Sequence, residues 1–283
     1  MSTDLANRAL LVSMTINSWS ARKLDRRESA EVALRNGATT GAARVNKALL
    51  PMARSLDLIQ RLTNATKAFY YDSTLPWVEG LRIIRTEGYT KFAREMGEHK
   101  IRWDAAVREF AEEYPQLRED AKFLLGNLYS DDDYPSPDSV ADRFRMDIAF
   151  YPVPSANDWR VDLADAQVEK LRAQIAAQIE QTQAKAMKAA WQRIYDVVSR
   201  AHERLSKPDN VFRDTLVENA VELCEILPTL NIADDPKLEQ LRRDLEGSLC
   251  QCEPKELREN LIVREEVSNK LAEIMAKMGA MYS

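Results

Sequence analysis

With 283 residues, 45% of them hydrophobic, the chain is long enough for one large or two ordinary domains with a real core, which excludes a disordered polypeptide. Only 8 residues are glycine, too few for glycine-rich phosphate loops or tight-hairpin β architectures, so the composition points to a mostly helical protein. The net charge of −5 conceals an asymmetry, because Met1 to Lys67 holds eleven Lys or Arg against five Asp or Glu and leaves an acidic remainder. Such a basic front serves either nucleic-acid contact or head-to-tail protein contact.

Taken in order, Leu5 to Ile16 is mainly apolar and ends in β-branched residues, which reads as a short strand or the buried entry to a helix, with strand or extended backbone favoured. Ser20 is a candidate cap for a charged segment that runs to about Leu34, where Asn36-Gly37 breaks it. Val45, Leu49, Met52, Leu56, Ile59 and Leu62 keep helical spacing and predict a helix from Thr40 to Lys67, kinked or divided at Pro51. Phe69 to Trp77 packs four aromatics into nine residues with a proline, which predicts an ordered loop. Such a cluster plugs a helix junction or stacks nucleobases.

Leu81 to Gly88 leads into a helix over Tyr89 to Tyr114, with Phe92, Met96, Trp103, Val107 and Phe110 on one face. Pro115 is expected to start a second, short helix through Leu128, and Tyr129 to Pro137 is the clearest loop. From Phe144 the period switches to two, a strand signature that Pro152 and Pro154 end, with Trp159 to Asp162 as the returning partner.

Asp162 to Leu205 passes without glycine or proline, with Asp162 and Asp165 as N-caps and Lys207-Pro208 as the stop. It reads as one helix of roughly 43 residues, about 65 Å long. Val168, Leu171, Ile175 and Ile179 form an apolar stripe at one end; Met187, Trp191, Ile194, Val198, Ala201 and Leu205 form another. Polar Gln178, Gln181, Thr182, Gln183 and Lys185 between them argue against a strict heptad. Further helices are expected over Val211 to Leu227, Lys237 to Leu249 and Pro254 to Met281, with a linker from Pro228 to Pro236. Leu257, Leu261, Val267, Leu271, Ile274 and Met278 stripe the last, which could pack on the long helix of its own chain or of a neighbour.

The fold class is therefore mainly α: an elongated helical bundle around one long helix, with a small β element near 144–163. Two domains are expected, 1–161 and 162–283, the second comprising the long helix and a C-terminal helical hairpin or coiled coil. The absence of a long apolar run or a signal-like N-terminus points to a soluble, cytoplasmic protein, and three cysteines fit a reducing compartment.

Residues with chemical potential are few. His99 and His202 sit among charged residues in helical segments, and no phosphate-loop, dinucleotide or H-E-x-x-H motif occurs. Asp131, Asp132 and Asp133 could bind a divalent cation, but consecutive carboxylates point in different directions. Cys250-Gln251-Cys252 has too short a spacer for a zinc knuckle. No metal site and no cofactor are expected.

Trp19-Ser20-Ala21-Arg22-Lys23, Thr74-Leu75-Pro76-Trp77 and Phe150-Tyr151-Pro152-Val153-Pro154 together resemble an uncharacterised family of bacterial, phage and integrating-element proteins, a domain of unknown function. The resemblance runs through most of residues 10–200. It implies a genetic neighbourhood with an AAA+ ATPase and a von Willebrand A-type protein, hence work in a multi-protein assembly with that ATPase as a partner, and it transfers no catalytic residue.

Two functions follow as expectations. The first is a non-catalytic interaction protein, a homo-oligomer or a subunit, adaptor or inhibitor, using Val168, Leu171, Ile175, Ile179, Trp191, Ile194, Leu261, Leu271 and Ile274. The second is a nucleic-acid-binding accessory protein using Arg22, Lys23, Arg26, Arg27, Arg35, Arg44 and Lys47, with Trp19 or Tyr70 stacking. A metal-dependent hydrolase built on Asp131 to Asp133 stands in reserve.

Overall fold

A computed structural model describes residues 2–155, 165–207 and 209–282. The protein is mainly helical with a small antiparallel sheet, and no helix among the described residues is long and apolar enough to cross a membrane.

The chain opens with α1 (Ser2–Arg8) and β1 (Ala9–Asn17), so the early apolar run is a strand from Ala9 onward. β2 (Arg22–Asp25), α2 (Arg26–Arg35) and β3 (Val45–Ala48) follow. Asp25, rather than Ser20, caps α2, its carboxylate accepting from the Glu28 amide at 3.1 Å. The helix expected from Thr40 begins only at α3 (Arg54–Asp72). Val45 to Ala48 alternates half-buried and exposed side chains as a strand does, over a span too short to contradict helical spacing in the sequence. Met52 at φ 69° then ends that stretch in the left-handed region, where no helix continues.

α3 absorbs Phe69, Tyr70 and Tyr71, so the expected aromatic loop is the end of a helix running into the hairpin of β4 (Leu75–Val78) and β5 (Leu81–Arg85). Next, α4 (Thr86–Leu125) is one helix of 40 residues with Pro115 inside it, not two helices. Proline removes a single amide donor there, and Tyr114 beside it is fully buried, its hydroxyl donating to the Pro135 carbonyl at 2.9 Å. β6 (Arg145–Pro152) is the alternating segment, and its neighbour in the sheet order β4-β5-β1-β6 is β1. Trp159 to Asp162, expected as its partner, lies outside the described residues, as does Pro208.

The long helix is α5 (Asp165–Leu205), followed by α6 (Thr215–Leu230), α7 (Pro236–Glu246), α8 (Pro254–Glu259) and α9 (Leu261–Tyr282). Pro228 lies within α6 rather than opening a linker, and the last expected helix divides at Asn260.

Contacts divide the chain into two compact units, though not at 161/162: one holds Met1–Ser13, Tyr71–Ala93 and Ala149–Ser283, the other Met14–Tyr70 and Arg94–Ile148. Strand pairing is the reason. Ala9 to Val12 pair antiparallel with Arg85 to Arg82, which draws the N-terminus and the β4–β5 hairpin into the unit built on α5.

In that first unit Ile179, Ala186, Ala190, Ile194, Val198, Ala201 and Leu205 of α5 are buried in one cluster with Val267, Leu271, Ile274 and Met278 of α9, with Leu227 of α6, and with Leu11, Leu75 and Ile83 of the sheet. The last helix thus packs along the long helix of its own chain. Two arginines fasten α5. Arg193, on α5, donates to the carbonyls of Asp72, Tyr71 and Thr74 at 2.6–2.7 Å; burial, then Arg82 nearby, lowers its pKa. Arg264, on α9 and only 4% exposed, donates to the carbonyls of Arg204, Leu205, Lys207 and Asn210 at 2.5–3.1 Å and lies over the Phe212 ring at 5.5 Å. Those carbonyls lie at and beyond the end of α5, where helical carbonyls lack partners and the dipole favours a cation.

The second unit packs Leu56 and Ile59 of α3 against Trp103, Val107 and Phe110 of α4, with Phe144 and Met146. The Trp103 indole N–H donates to Thr63 Oγ1 at 2.9 Å, and Phe144 meets Phe110 edge to face at 5.4 Å.

Replacing Arg264 with Met should cost about 3 kcal/mol of stability, because several buried carbonyls lose their donors at once. Arg264→Lys should recover only part of it, since a single ammonium cannot span the set. Urea melts of the three proteins check the order, and equal midpoints would remove the capping role.

Candidate functional site

The richest cluster of charged side chains in the second unit gathers on the β2–β3 pair. Its register sets Lys23 directly opposite Lys47 and Arg22 opposite Ala48. Like charges in direct opposition destabilise a strand pair, and here a third element answers them. The residues Asp131–Asp133 form a 3₁₀ turn, and Asp133 pairs with Lys23 and, at 2.7 Å, with Lys47. Lys47 also donates to the Leu128 carbonyl at 2.6 Å and stands 3.7 Å from the Asp25 carboxylate. Burial raises the Asp133 pKa, but the two ammonium groups outweigh it and hold the carboxyl below its ordinary value.

Aromatic residues fix that turn. The Tyr134 hydroxyl donates to the Leu49 carbonyl at 2.6 Å and its ring stacks on Tyr129 at 4.9 Å. Burial pushes the Tyr134 phenol up, and that of Tyr114 up to about 12. Asp131 faces elsewhere, accepting from the Tyr129 hydroxyl at 2.7 Å and from Arg118 at 2.9 Å, which lower its pKa in that order. Asp131 and Asp133 therefore serve two separate sets of cations, and the hydrolase reading loses the convergence of carboxylates that it needs.

The shallow depression lined by Lys23, Leu24, Asp25, Arg26, Lys47, Ser130 and Asp133 is charge-balanced at its centre. Lys47 is largely buried and Lys23, though exposed, is paired with Asp133, whereas Arg22, Arg26, Arg27, Arg35 and Arg44 stand exposed, Arg27 beside Glu31 one helical turn away. The two expected stacking residues are a correction. Tyr70 is buried, and half-buried Trp19 packs on the core of its unit, against Tyr114 at 5.9 Å and Phe110 at 6.4 Å.

The residues expected to make protein contacts divide similarly. Ile179, Ile194, Leu271 and Ile274 are buried in their own unit, which removes them from any partner-facing surface. Trp191 is half-buried with its indole N–H donating to Asp235 at 3.2 Å, and Val168, Leu171 and Ile175 are half-buried. Leu261 is 56% exposed, Ile262 71% and Val211 86%, so three apolar side chains stand in water around one corner. The corner is built by arginines: Arg258 donates to the Phe212 carbonyl and Arg264 to that of Asn210, which pins the segment carrying Val211 against the α8–α9 junction. Asn260 starts α9, its side chain accepting from the Ile262 amide at 3.1 Å. The helix break turns Leu261 away from the stripe, and Arg264, three residues before Val267, takes the buried place. Ile262 and Val211 carried no periodic signal, and the sequence predicts one unbroken helix where the structure divides it at Asn260.

The histidines have structural partners. His99 stacks on Phe69 at 5.3 Å with Nδ1 3.3 Å from Thr66 Oγ1, and burial lowers its pKa. His202 Nδ1 lies 3.2 Å from the Ser268 carbonyl, joining α5 to α9. Protein-family models, curated proteins and solved structures yield no match to this chain.

Asp133→Asn should destabilise the protein by about 2 kcal/mol at neutral pH, since two opposed lysines lose their counter-charge. The native carboxyl has the lower pKa, so its contribution is full above the ordinary carboxylate range and fades as pH falls through its folded value. Melting temperatures at pH 6 and pH 3 should therefore differ more for the wild type than for the variant; an equal acid loss in both would contradict the pairing.

Proposed function

We propose that this protein is a non-catalytic helical interaction protein, a subunit or adaptor of a multi-protein assembly, and that its α8–α9 corner meets the partner. The observation that carries this reading is the exposure of Leu261, Ile262 and Val211 together around one rigidly capped corner. Single exposed apolar residues are ordinary, whereas a gathered group costs solubility unless a partner covers it. The resemblance to mobile-element proteins encoded beside an AAA+ ATPase favours a protein partner of that kind.

One observation favours a second reading, nucleic-acid binding by the basic front. Arg22, Arg26, Arg27, Arg35 and Arg44 are exposed. It ranks lower because Lys23 and Lys47 are balanced by Asp133 and Asp25, Tyr70 is buried, and half-buried Trp19 packs on the core.

The chain, nuclease-treated and tagged, tests the ranking by light scattering coupled to size exclusion and by affinity capture with an AAA+ ATPase of the kind that the resemblance implies. A complex with a fixed mass that Leu261→Glu/Ile262→Glu abolishes, with an unchanged melting temperature, is the expected result. A complex that the double variant retains would remove the corner as the contact. A shift with oligonucleotides that fades as salt rises, and is lost in Arg22→Glu/Arg26→Glu/Arg27→Glu, would establish the second reading instead.

A further inference from the structure

The cysteines play no part in the surface just described, yet the fold brings two of them together. Cys224 lies on α6 and is buried; Cys250 lies on the 3₁₀ turn Leu249–Gln251 between α7 and α8 and is half-buried. Their sulfurs are 3.8 Å apart across 26 residues of chain. The approach is built from both sides. Cys224 Sγ donates to the Arg242 carbonyl at 3.7 Å, while the turn is held by fully buried Leu249 and by the Ser248 hydroxyl donating to the Asp244 carbonyl at 2.7 Å. Cys252, two residues on, engages the Ser248 carbonyl at 3.4 Å instead.

We propose that Cys224 and Cys250 are a redox pair that a peroxide converts to a disulfide, locking the turn before α8 onto α6. Sulfurs already in van der Waals contact close to bonding distance by small side-chain rotations. The half-buried Cys250 is the reactive partner. Its thiolate attacks one peroxide oxygen, the O–O bond breaks, hydroxide leaves, and Cys250 becomes a sulfenic acid. Cys224 sulfur then attacks the Cys250 sulfur, its proton going to the departing hydroxyl, which leaves as water. Two thiols and one peroxide thus become one disulfide and two waters. Hydrogen bonding to Cys250, with burial, raises the Cys224 pKa, whereas the same contact lowers that of Cys250, which suits these roles.

The test treats folded full-length protein with hydrogen peroxide at neutral pH, blocks remaining thiols with N-ethylmaleimide and maps the tryptic peptides by mass spectrometry. Wild type and Cys252→Ser should each join peptide Asp214–Lys237 to peptide Asp244–Lys255 with loss of two hydrogens, reversibly with dithiothreitol. Cys250→Ser should not form the cross-link. The oxidised wild type should melt higher by about 5 °C, as closing a loop in a domain of this size does. A bond between Cys250 and Cys252, cross-links only between chains, or an unlinked Cys252→Ser protein would overturn the proposal. Should Cys250→Ser fail to fold, the Cys252→Ser result alone decides.

Discussion

Carbonyl groups at the ends of helices must find donors, and in the first unit two arginines supply them. Arg193 reaches from α5 to the carbonyls of Tyr71, Asp72 and Thr74, and Arg264 reaches from α9 to four carbonyls at and after the end of α5. A planar guanidinium suits this task because its donors fan out in one plane and its charge meets the negative end of the helix dipole. Through these bonds α5 is held at its middle and its end, and the α8–α9 corner inherits its rigidity from the same Arg264. Leu261 and Ile262 are exposed because the buried position one turn on belongs to a cation with fixed partners.

The second unit shows the same economy with the signs reversed. Pairing β2 with β3 forces Lys23 and Lys47 into opposition, a conflict that only an element far along the chain resolves. Asp133 arrives on a 3₁₀ turn anchored by Tyr134 and Tyr114, and the basic front keeps its arginines outward while its lysines are used for folding. This division weakens phosphate binding as a principal function without abolishing the positive face.

The side chains that carry chemical potential are mostly engaged in holding the fold. His99 and His202 bridge helices, Asp131 and Asp133 answer separate cations, and Cys224 and Cys250 meet where α6 passes the turn before α8. Among the groups facing water are an apolar corner and a set of arginines, both suited to recognition.

Much of the helical content was legible in the sequence. The long helix with its two stripes and the α9 residues from Val267 onward follow from spacing alone, because one-sided burial imposes a 3.6-residue period. The alternating strand at 145–152 was legible for the matching reason, a period of two. Four-residue strands such as β2 and β3 escaped because a window that short satisfies either period, and Pro115 misled because a proline inside a well-packed helix costs less than the burial around it returns. Partnerships between distant residues lay wholly beyond periodicity. The tertiary structure alone decided that the long helix packs on its own chain, that Asp133 closes the lysine pair, that Tyr70 is buried and Trp19 packs on the core, and that Arg264 rather than Leu261 is buried. Each depends on which segments meet in space, and a sequence read along one dimension encodes the need for a partner but not which partner satisfies it.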